Sequence, residues 1–516
     1  MLIKQIMSSI RTGMIAVVML LISFPTLYGQ QYRITPVTPN ASPEAVALLE
    51  YIQSLGGKHT LSGQHNFPIS RDRNTQFASD YIGKTPAVWS QDFGFSKAGD
   101  KDTYLARPSI VEEAIRQHKL GSIITICWHA VPPTAEEPIT FQPLPGYDST
   151  KLASVQGRLL DKQFKDILKH GTKLNKQWMK QVDEIAKYLK QLQDAKVPVL
   201  WRPYHEMNGD WFWWGGRYEG KYTTAALYRQ LFDRLVNHHK LNNLVWVWSV
   251  DRPSRPDRDF AKYYPGNEYL DVLSIDIYGN DFDQAYYDGL MGLSQGKPLI
   301  LGEVGNPPSP DILDKQPNWA LYVVWAGMVR GTSREAYEAL ANDPRVLFME
   351  DPAYAKTTDA YRRACGLSPL VIDRKADFTG DWVLNEYESK LQTFGPSGTP
   401  YKLSIVQQDN ELSIKSNTIV EWADDQVAEE RLKLDGSDNM STAFNNEAQV
   451  KNANWSPAKD SLNIVSKVTF HYAGNEIDII TKDIWTLHRK GKKLVIWRVV
   501  STARGKQKST VIYDKK

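Results

Sequence analysis

The sequence predicts an α/β chain in which a (β/α)₈ TIM barrel is followed by a smaller all-β domain. Three observations predict it. Eight short apolar runs recur between about residues 45 and 350, longer amphipathic segments separate them, and beyond Pro344 the pattern changes to alternating apolar and polar residues. Runs without alternation, spaced by helices, describe parallel strands buried on both faces, whereas period-two alternation describes strands with one buried face.

The eight candidate strands are Thr60–Gly63, Pro86–Trp89, Ser122–Trp128, Val197–Trp201, Leu244–Trp248, Val272–Asp276, Pro298–Leu301 and Leu321–Trp325. Before the fourth, Trp178, Val182, Ile185, Leu189 and Leu192 step by four, three, four and three, which is one face of a helix. Eight such units over roughly 300 residues suit a closed barrel. On pattern alone, an open doubly wound sheet is the alternative. From Asp377 onward, stretches such as Tyr401–Val406, Leu462–Val465 and Leu494–Trp497 are divided by turn signals at Gly395–Gly398, Gln408–Asn410, Asp435-Gly436 and His488–Gly491. Short strands at that spacing make an antiparallel sandwich or small barrel.

The N-terminus carries a separate segment. Lys4 and Arg11 precede the apolar run Met14–Phe24, then Pro25 and the exit Tyr28-Gly29-Gln30. The run is too short for the ~20 residues of a membrane span, and it reads as a secretory signal peptide. The expected organisation is a signal peptide over residues 1–29, a catalytic barrel over 30–365 and an all-β accessory domain over 375–516. The expected location is secreted or periplasmic, without a membrane span after signal removal.

Composition narrows the partners. With 42% hydrophobic and 23% charged residues among 516, the chain is neither disordered nor collagenous, and a formal charge of +3 gives no cause to expect nucleic acid. Two cysteines, Cys127 and Cys365, exclude a disulfide scaffold and a four-cysteine zinc site. Sixteen tryptophans and 25 tyrosines exceed what a core ordinarily needs, and flat sugar-binding surfaces are one use for them.

The densest chemistry lies in Leu200–Gly215, at the end of the fourth strand. It holds Arg202, His205, Glu206, Trp211, Trp213 and Trp214. Loops after the C-terminal ends of barrel strands build active sites, so these groups fall where catalysis belongs. Glu303, between Gly302 and Gly305 at the end of the seventh strand, supplies a second carboxylate across the mouth. Two such glutamates can flank a glycosidic bond, one as acid and one as nucleophile. His129, Asp276, Tyr278 and Trp325 end other strands on the same rim. Competing motifs fail on context. His205-Glu206 lacks the second histidine of a zinc-protease helix, because position 209 is Gly, and Gly292–Gly296 precedes a strand where a nucleophile elbow must follow one. His238-His239 reads as a solvated pair at a helix end.

The blocks Leu61-Ser-Gly-Gln-His65, Pro86–Asp92, Thr125–His129, Arg202–Trp211 and Leu301–Gly305 resemble glycoside hydrolase family 26, mostly endo-acting β-mannanases on a (β/α)₈ barrel. The resemblance implies Glu206 as acid/base and Glu303 as nucleophile of a retaining double displacement. It further implies His205, Trp211, Tyr278 and Trp325 as substrate-binding residues around the cleavage point, with His129, Arg202 and Asp276 beside them, and no metal or cofactor. The implied substrate is β-mannan or a related plant polysaccharide, acted on by a monomer. Cleavage of β-1,3-xylan or mixed-linkage β-glucan, release of mannobiose from chain ends, and polysaccharide binding without catalysis are the alternatives. Through Phe378–Trp382, Leu434-Asp-Gly436, Trp455 and Trp485-Thr-Leu487 the C-terminal region looks lipocalin-like.

Overall fold

The computed structural model describes residues 34–94, 103–370, 376–391, 398–442, 447–456, 459–472, 475–488, 491–503 and 505–516. The expected signal peptide and most of the Gly395–Gly398 turn lie outside the described residues. No described helix is long and apolar enough to cross a membrane. Cys127 and Cys365 are both buried and unbridged.

The first domain is a closed parallel barrel with helices between its strands. Its strands are β1 (Thr60–Leu61), β2 (Gly63–His65), β3 (Val88–Asp92), β4 (Ile123–Trp128), β5 (Val199–Pro203), β6 (Leu244–Asp251), β7 (Val272–Ile277), β8 (Leu299–Val304) and β9 (Trp319–Val324), with a short β10 (Val346–Leu347) beside β1. β1 and β2 are two pieces of one strand interrupted at Ser62, so eight staves form the wall. Closure comes from β9, which pairs with β8 on one side and with both β1 and β2 on the other. The eight expected strands are therefore present, and the closed arrangement replaces the open-sheet alternative.

Alternation within each strand sorts the side chains into two layers. Along β6, Leu244, Trp246 and Trp248 join the cluster that includes helix residues Leu227 and Leu231. The intervening Val245 and Val247 join Leu61, Val88, Ile123, Leu200 and Ile300 in a second, inward cluster. Helices Pro43–Leu55 and Pro352–Ala364 contribute Leu48, Leu49, Ile52, Tyr354 and Tyr361 to it, closing the end where the strands begin. Further along, the inward positions turn polar: Val245 and Val247 are followed by Ser249 and Asp251, and Leu200 by Arg202. The helix Lys173–Asp194 buries Trp178, Val182, Ile185, Leu189 and Leu192 as its periodicity requires.

The second domain is a ten-stranded antiparallel meander: β11 (Gly380–Leu384), β12 (Lys402–Gln408), β13 (Glu411–Thr418), β14 (Gln426–Lys433), β15 (Asp435–Thr442), β16 (Ala448–Trp455), β17 (Ser461–Tyr472), β18 (Asn475–His488), β19 (Lys493–Thr502) and β20 (Gly505–Lys515). The last strand returns to pair with the first, which makes the sheet a nearly closed barrel rather than a sandwich. Phe378, Trp382, Leu412, Trp485 and Leu494 fill its apolar end. Asp435-Gly436 does not turn a hairpin as its composition suggests. It starts β15 directly after β14, and these two strands are the unpaired ends of the sheet. Of the histidine pair, His238 is exposed as expected, whereas the expected solvation of His239 needs correction, because its Nε2 lies 2.7 Å from Asp183 Oδ1.

Gly63 tests the tightness of the closure. A Cβ there would run into the backbone oxygen of Tyr322 on β9, which cannot swing aside as a side chain could. Gly63→Ala should lower stability by about 1–3 kcal/mol. A thermal midpoint equal to the parent's would show that the barrel seam is looser than described.

Candidate active site

At the C-terminal end of the barrel, inward polar side chains from six staves converge. Arg202 on β5 is 2% exposed and grips two carboxylates: Nη1 donates to Asp276 Oδ2 at 2.8 Å, and Nη2 donates to Glu303 Oε1. Ser249 on β6 donates to Asp276 Oδ1 at 3.2 Å. Tyr278, just past β7, donates its hydroxyl to Glu303 Oε2 at 2.6 Å. Both oxygens of Glu303 are thus held. Gly302 makes room for this packing, since a Cβ there would collide with Ser274 Oγ and Asp276 Oδ1.

Glu206 faces Glu303 from the loop after β5. Tyr204 and Glu206 adopt φ of 50° and 51°, a conformation that costs non-glycine residues energy and persists only where the surroundings enforce it. The enforcement is visible. Trp214 Nε1 donates to the His205 carbonyl at 2.9 Å, and the Gly209 and Gly216 amides donate to the Glu206 and Met207 carbonyls at 2.8 and 3.0 Å. Asn208 bonds both ways with the Asp251 backbone, at 2.6 and 2.7 Å. Trp211 Nε1 donates to Glu206 Oε2 at 2.6 Å.

Oxygens of Glu206, Asp276 and Glu303 lie within 4.8 Å of one another. Burial, followed by repulsion from Asp276, Glu303 and Asp251, holds the Glu206 carboxyl well above the usual carboxylate range. Burial also raises Asp276, against the pull of Arg202. The arrangement therefore offers a protonated carboxylic acid beside a carboxylate fixed by a cation and a phenol.

The opposite side of the mouth is imidazole and indole. His129, after β4, donates Nδ1–H to Asp92 on β3, and its Nε2 shares a hydrogen with His205 Nε2 at 3.1 Å. Burial, then the neighbouring His129 and Arg202, keep His205 neutral, and its Nε2 lies 3.7 Å from Glu303 Oε1. Trp325, after β9, stacks on His65 of β2 with ring centroids 3.9 Å apart. Beside Glu206 a cavity of about 430 Å³ opens, lined by Gln156, Trp211, Asp251, Arg252, Arg258 and Tyr278.

All nine residues singled out in the sequence, Glu206, Glu303, His129, Arg202, His205, Trp211, Asp276, Tyr278 and Trp325, come together at this one end. Arg202 and Asp276 lie beneath the two glutamates, and Trp211 is half-buried at the rim. Sequence reasoning did not single out His65, Asp92 or Asp251. Each sits at the last position of its strand, and that inward terminal position was the signal available for them.

Burial holds the His65 imidazole at about 3, below the 6.5 of a free ring, with Asp92 opposing the shift and Arg202 and His129 adding to it. The fold keeps this ring neutral, whereas an unfolded chain takes up a proton as the pH falls through 6.5. The contribution of His65 is complete above that value and is lost as the pH falls toward 3. In His65→Gln the drop in thermal midpoint between about pH 7 and about pH 5 should be smaller than in the parent. An equal or larger drop in thermal scans would contradict this account.

Residues 37–351 match the model of Glycosyl hydrolase family 26. The chain is 34% identical over 295 residues to a mannan endo-1,4-β-mannosidase of Thermothelomyces thermophilus, a stretch that covers 56% of each chain. Among solved structures, it is 41% identical to GH26A from Muricauda sp., with a TM-score of 0.54 and coverage of 60% of this chain and 98% of that one. It is 28% identical to the GH26-CBM35 β-(1,4)-mannanase of Podospora anserina, with a TM-score of 0.51 and coverage of 64% and 69%. The chain spans about half the length of the curated relatives it matches. With a family match over more than half its length and two buried glutamates facing one another across a parallel barrel, the chain belongs to glycosyl hydrolase family 26.

Proposed function

We propose that the protein hydrolyses β-1,4-mannosidic bonds within mannans with retention of configuration, Glu206 acting as acid/base and Glu303 as nucleophile. One observation carries the reading: carboxylate oxygens of the two glutamates lie within 4.8 Å. Retaining glycosidases hold the pair about 5–5.5 Å apart, while inverting ones need about 6.5–9.5 Å for a water. Mannan as substrate rests on the named activity of the relatives.

In this cycle Glu303, oriented by Arg202 and Tyr278, attacks the anomeric carbon while Glu206 gives its proton to the departing oxygen. Esterification of Glu303 removes one of the negative charges that hold the Glu206 proton in place. Glu206 then takes a proton from water, which cleaves the ester. His129, His205, Trp211 and Trp325 are proposed to contact the sugar whose bond breaks. Arg202 and Asp276 are proposed to act from below, through the charge they place under Glu303. Export to the periplasm or medium, action as a monomer and a lipocalin-like accessory role for the ten-stranded domain complete the proposal.

Glu303→Gln should lower kcat on mannan by more than about 10³-fold with the thermal midpoint preserved. Glu206→Gln should lose about 10²–10⁴-fold in kcat/KM on mannan but far less in kcat/KM on a dinitrophenyl β-mannobioside, whose leaving group departs without a proton. Equal losses on both substrates would remove the acid role from Glu206.

Trp211→Phe deletes the indole hydrogen bond, which favours the ionised form of Glu206. Glu206 then holds its proton to higher pH. The alkaline limb of kcat/KM on mannan should move upward by a fraction of a unit or more, and a downward or absent shift would show that the indole does not act on Glu206.

A further inference from the structure

The loop that carries Trp211 continues into a second cavity, of about 650 Å³, that the reaction above does not use. Five cations line it, Arg158, Lys162, Lys165, Arg217 and Lys221, against two carboxylates, Asp161 and Glu219. Such an excess of one sign in a concave surface is a field that waits for a counterion.

Arg217 sharpens this into a site. It is 8% exposed, and its guanidinium packs 4.4 Å over Phe164. Nη2 donates to the Leu159 carbonyl at 2.5 Å and Nη1 to the Trp213 carbonyl at 3.4 Å, while Nε has no hydrogen-bond partner. Among the described residues, the one carboxylate in ion-pair range is Asp161, 3.6 Å away, and that side chain is 91% exposed. A buried cation ordinarily requires a desolvated partner. This one has carbonyl dipoles and a solvated acid, and burial together with the nearby Arg158 lowers its pKa to about 10. Arg158 itself is exposed and makes no ion pair among the described residues.

The remaining lining consists largely of aromatic rings, with Tyr218 and Tyr222 beside Phe164. The cavity also adjoins the cleft. Gln156 lines the space beside Glu206 and Arg158 lines this one, so a single residue, Gly157, stands between the two linings and their α-carbons are at most about 7 Å apart. A Cβ on Gly216, in the wall of this cavity, would lie 3.1 Å from Asp210 Cβ, and Asp210 binds Arg258 of the cleft at 2.7 Å.

We infer that this cavity is a second carbohydrate site, which takes a sugar bearing an anionic substituent, a carboxylate or a sulfate ester, alongside the neutral chain in the cleft. The anion follows from the surplus of cations: Lys162 pairs with Asp166 and Arg217 has the solvated Asp161, but Arg158, Lys165 and Lys221 make no ion pair among the described residues. The choice of a sugar rests on the proposed polysaccharide hydrolysis and on the tyrosines.

The test is calorimetric titration of the full chain with trigalacturonic acid, a sulfated galactan oligosaccharide, mannotriose and inorganic sulfate, repeated in the surface variant Arg158→Gln/Lys221→Gln. At least one charged oligosaccharide should bind, more weakly in high salt, and its affinity should fall about tenfold in the variant. Which of the two binds tells carboxylate from sulfate. Mannan hydrolysis by the variant should equal the parent's. Failure of both charged sugars to bind, binding indifferent to the variant, or inorganic sulfate binding as tightly as the sugars would overturn the inference. Absence of mannan hydrolysis in the parent would count against the proposed reaction and leave the titration readable.

Discussion

One buried guanidinium serving a cluster of three carboxylates is the constraint around which the barrel mouth is organised. Two like charges within 4.8 Å of one another repel by about 3.5 kcal/mol or more even at an effective dielectric of about 20, and a single arginine cannot neutralise three. Arg202 reaches Asp276 and Glu303 but not Glu206, and burial with the neighbouring carboxylates holds the Glu206 carboxyl well above the usual range. Burial raises Asp276 as well, but there Arg202 opposes it. The division of labour between two chemically identical glutamates therefore comes from which of them the arginine reaches. Mutual repulsion and the buried setting do the rest.

The barrel supplies this constraint by a division along every strand. Inward side chains are aliphatic where the strands begin and become hydroxyl, guanidinium and carboxylate where they end. The aliphatic end is sealed by two helices and carries the stability, so the polar end can hold desolvated charge and left-handed backbone that would be untenable in an isolated loop. The same alternation explains why Trp246 and Trp248 belong to the helix layer, while Trp211 and Trp325 stand beyond the ends of β5 and β9 at the mouth. Much of the tryptophan excess is packing between layers, with Trp213 and Trp214 wholly buried as supports of the catalytic loop.

What was legible in the sequence was whatever is written locally. Apolar runs marked the eight staves, and the polar groups that interrupt them at Arg202, His205, Glu206 and Glu303 marked the mouth. Asp92 was harder to see because its meaning depends on His129, which is 37 residues away, and nothing in Ser90-Gln91-Asp92 alone distinguishes a partner of histidine from a solvated turn. His65 likewise acquires its character from Trp325, on the far side of the closure. The ten-stranded meander illustrates the opposite failure. Alternation marked stretches such as Tyr401–Val406, Leu462–Val465 and Leu494–Trp497, and the turn signal Asp435-Gly436 does mark the junction of two strands, but nothing local told that these two are the opposite ends of the sheet.

That gap has a cost of its own. β14 and β15 each expose one row of backbone amides and carbonyls, the kind of edge on which foreign strands add and chains polymerise. Along it stand Glu429, Glu430, Arg431 and Lys433 on one strand and Asp435, Asp438 and Asn439 on the other, which outnumber the exposed apolar side chains Val427, Ala428 and Met440. A second molecule approaching edge to edge would have to strip water from these charges before it gained a single hydrogen bond. An incompletely closed barrel can therefore remain colloidally stable in concentrated solution, protected by the solvation of its seam.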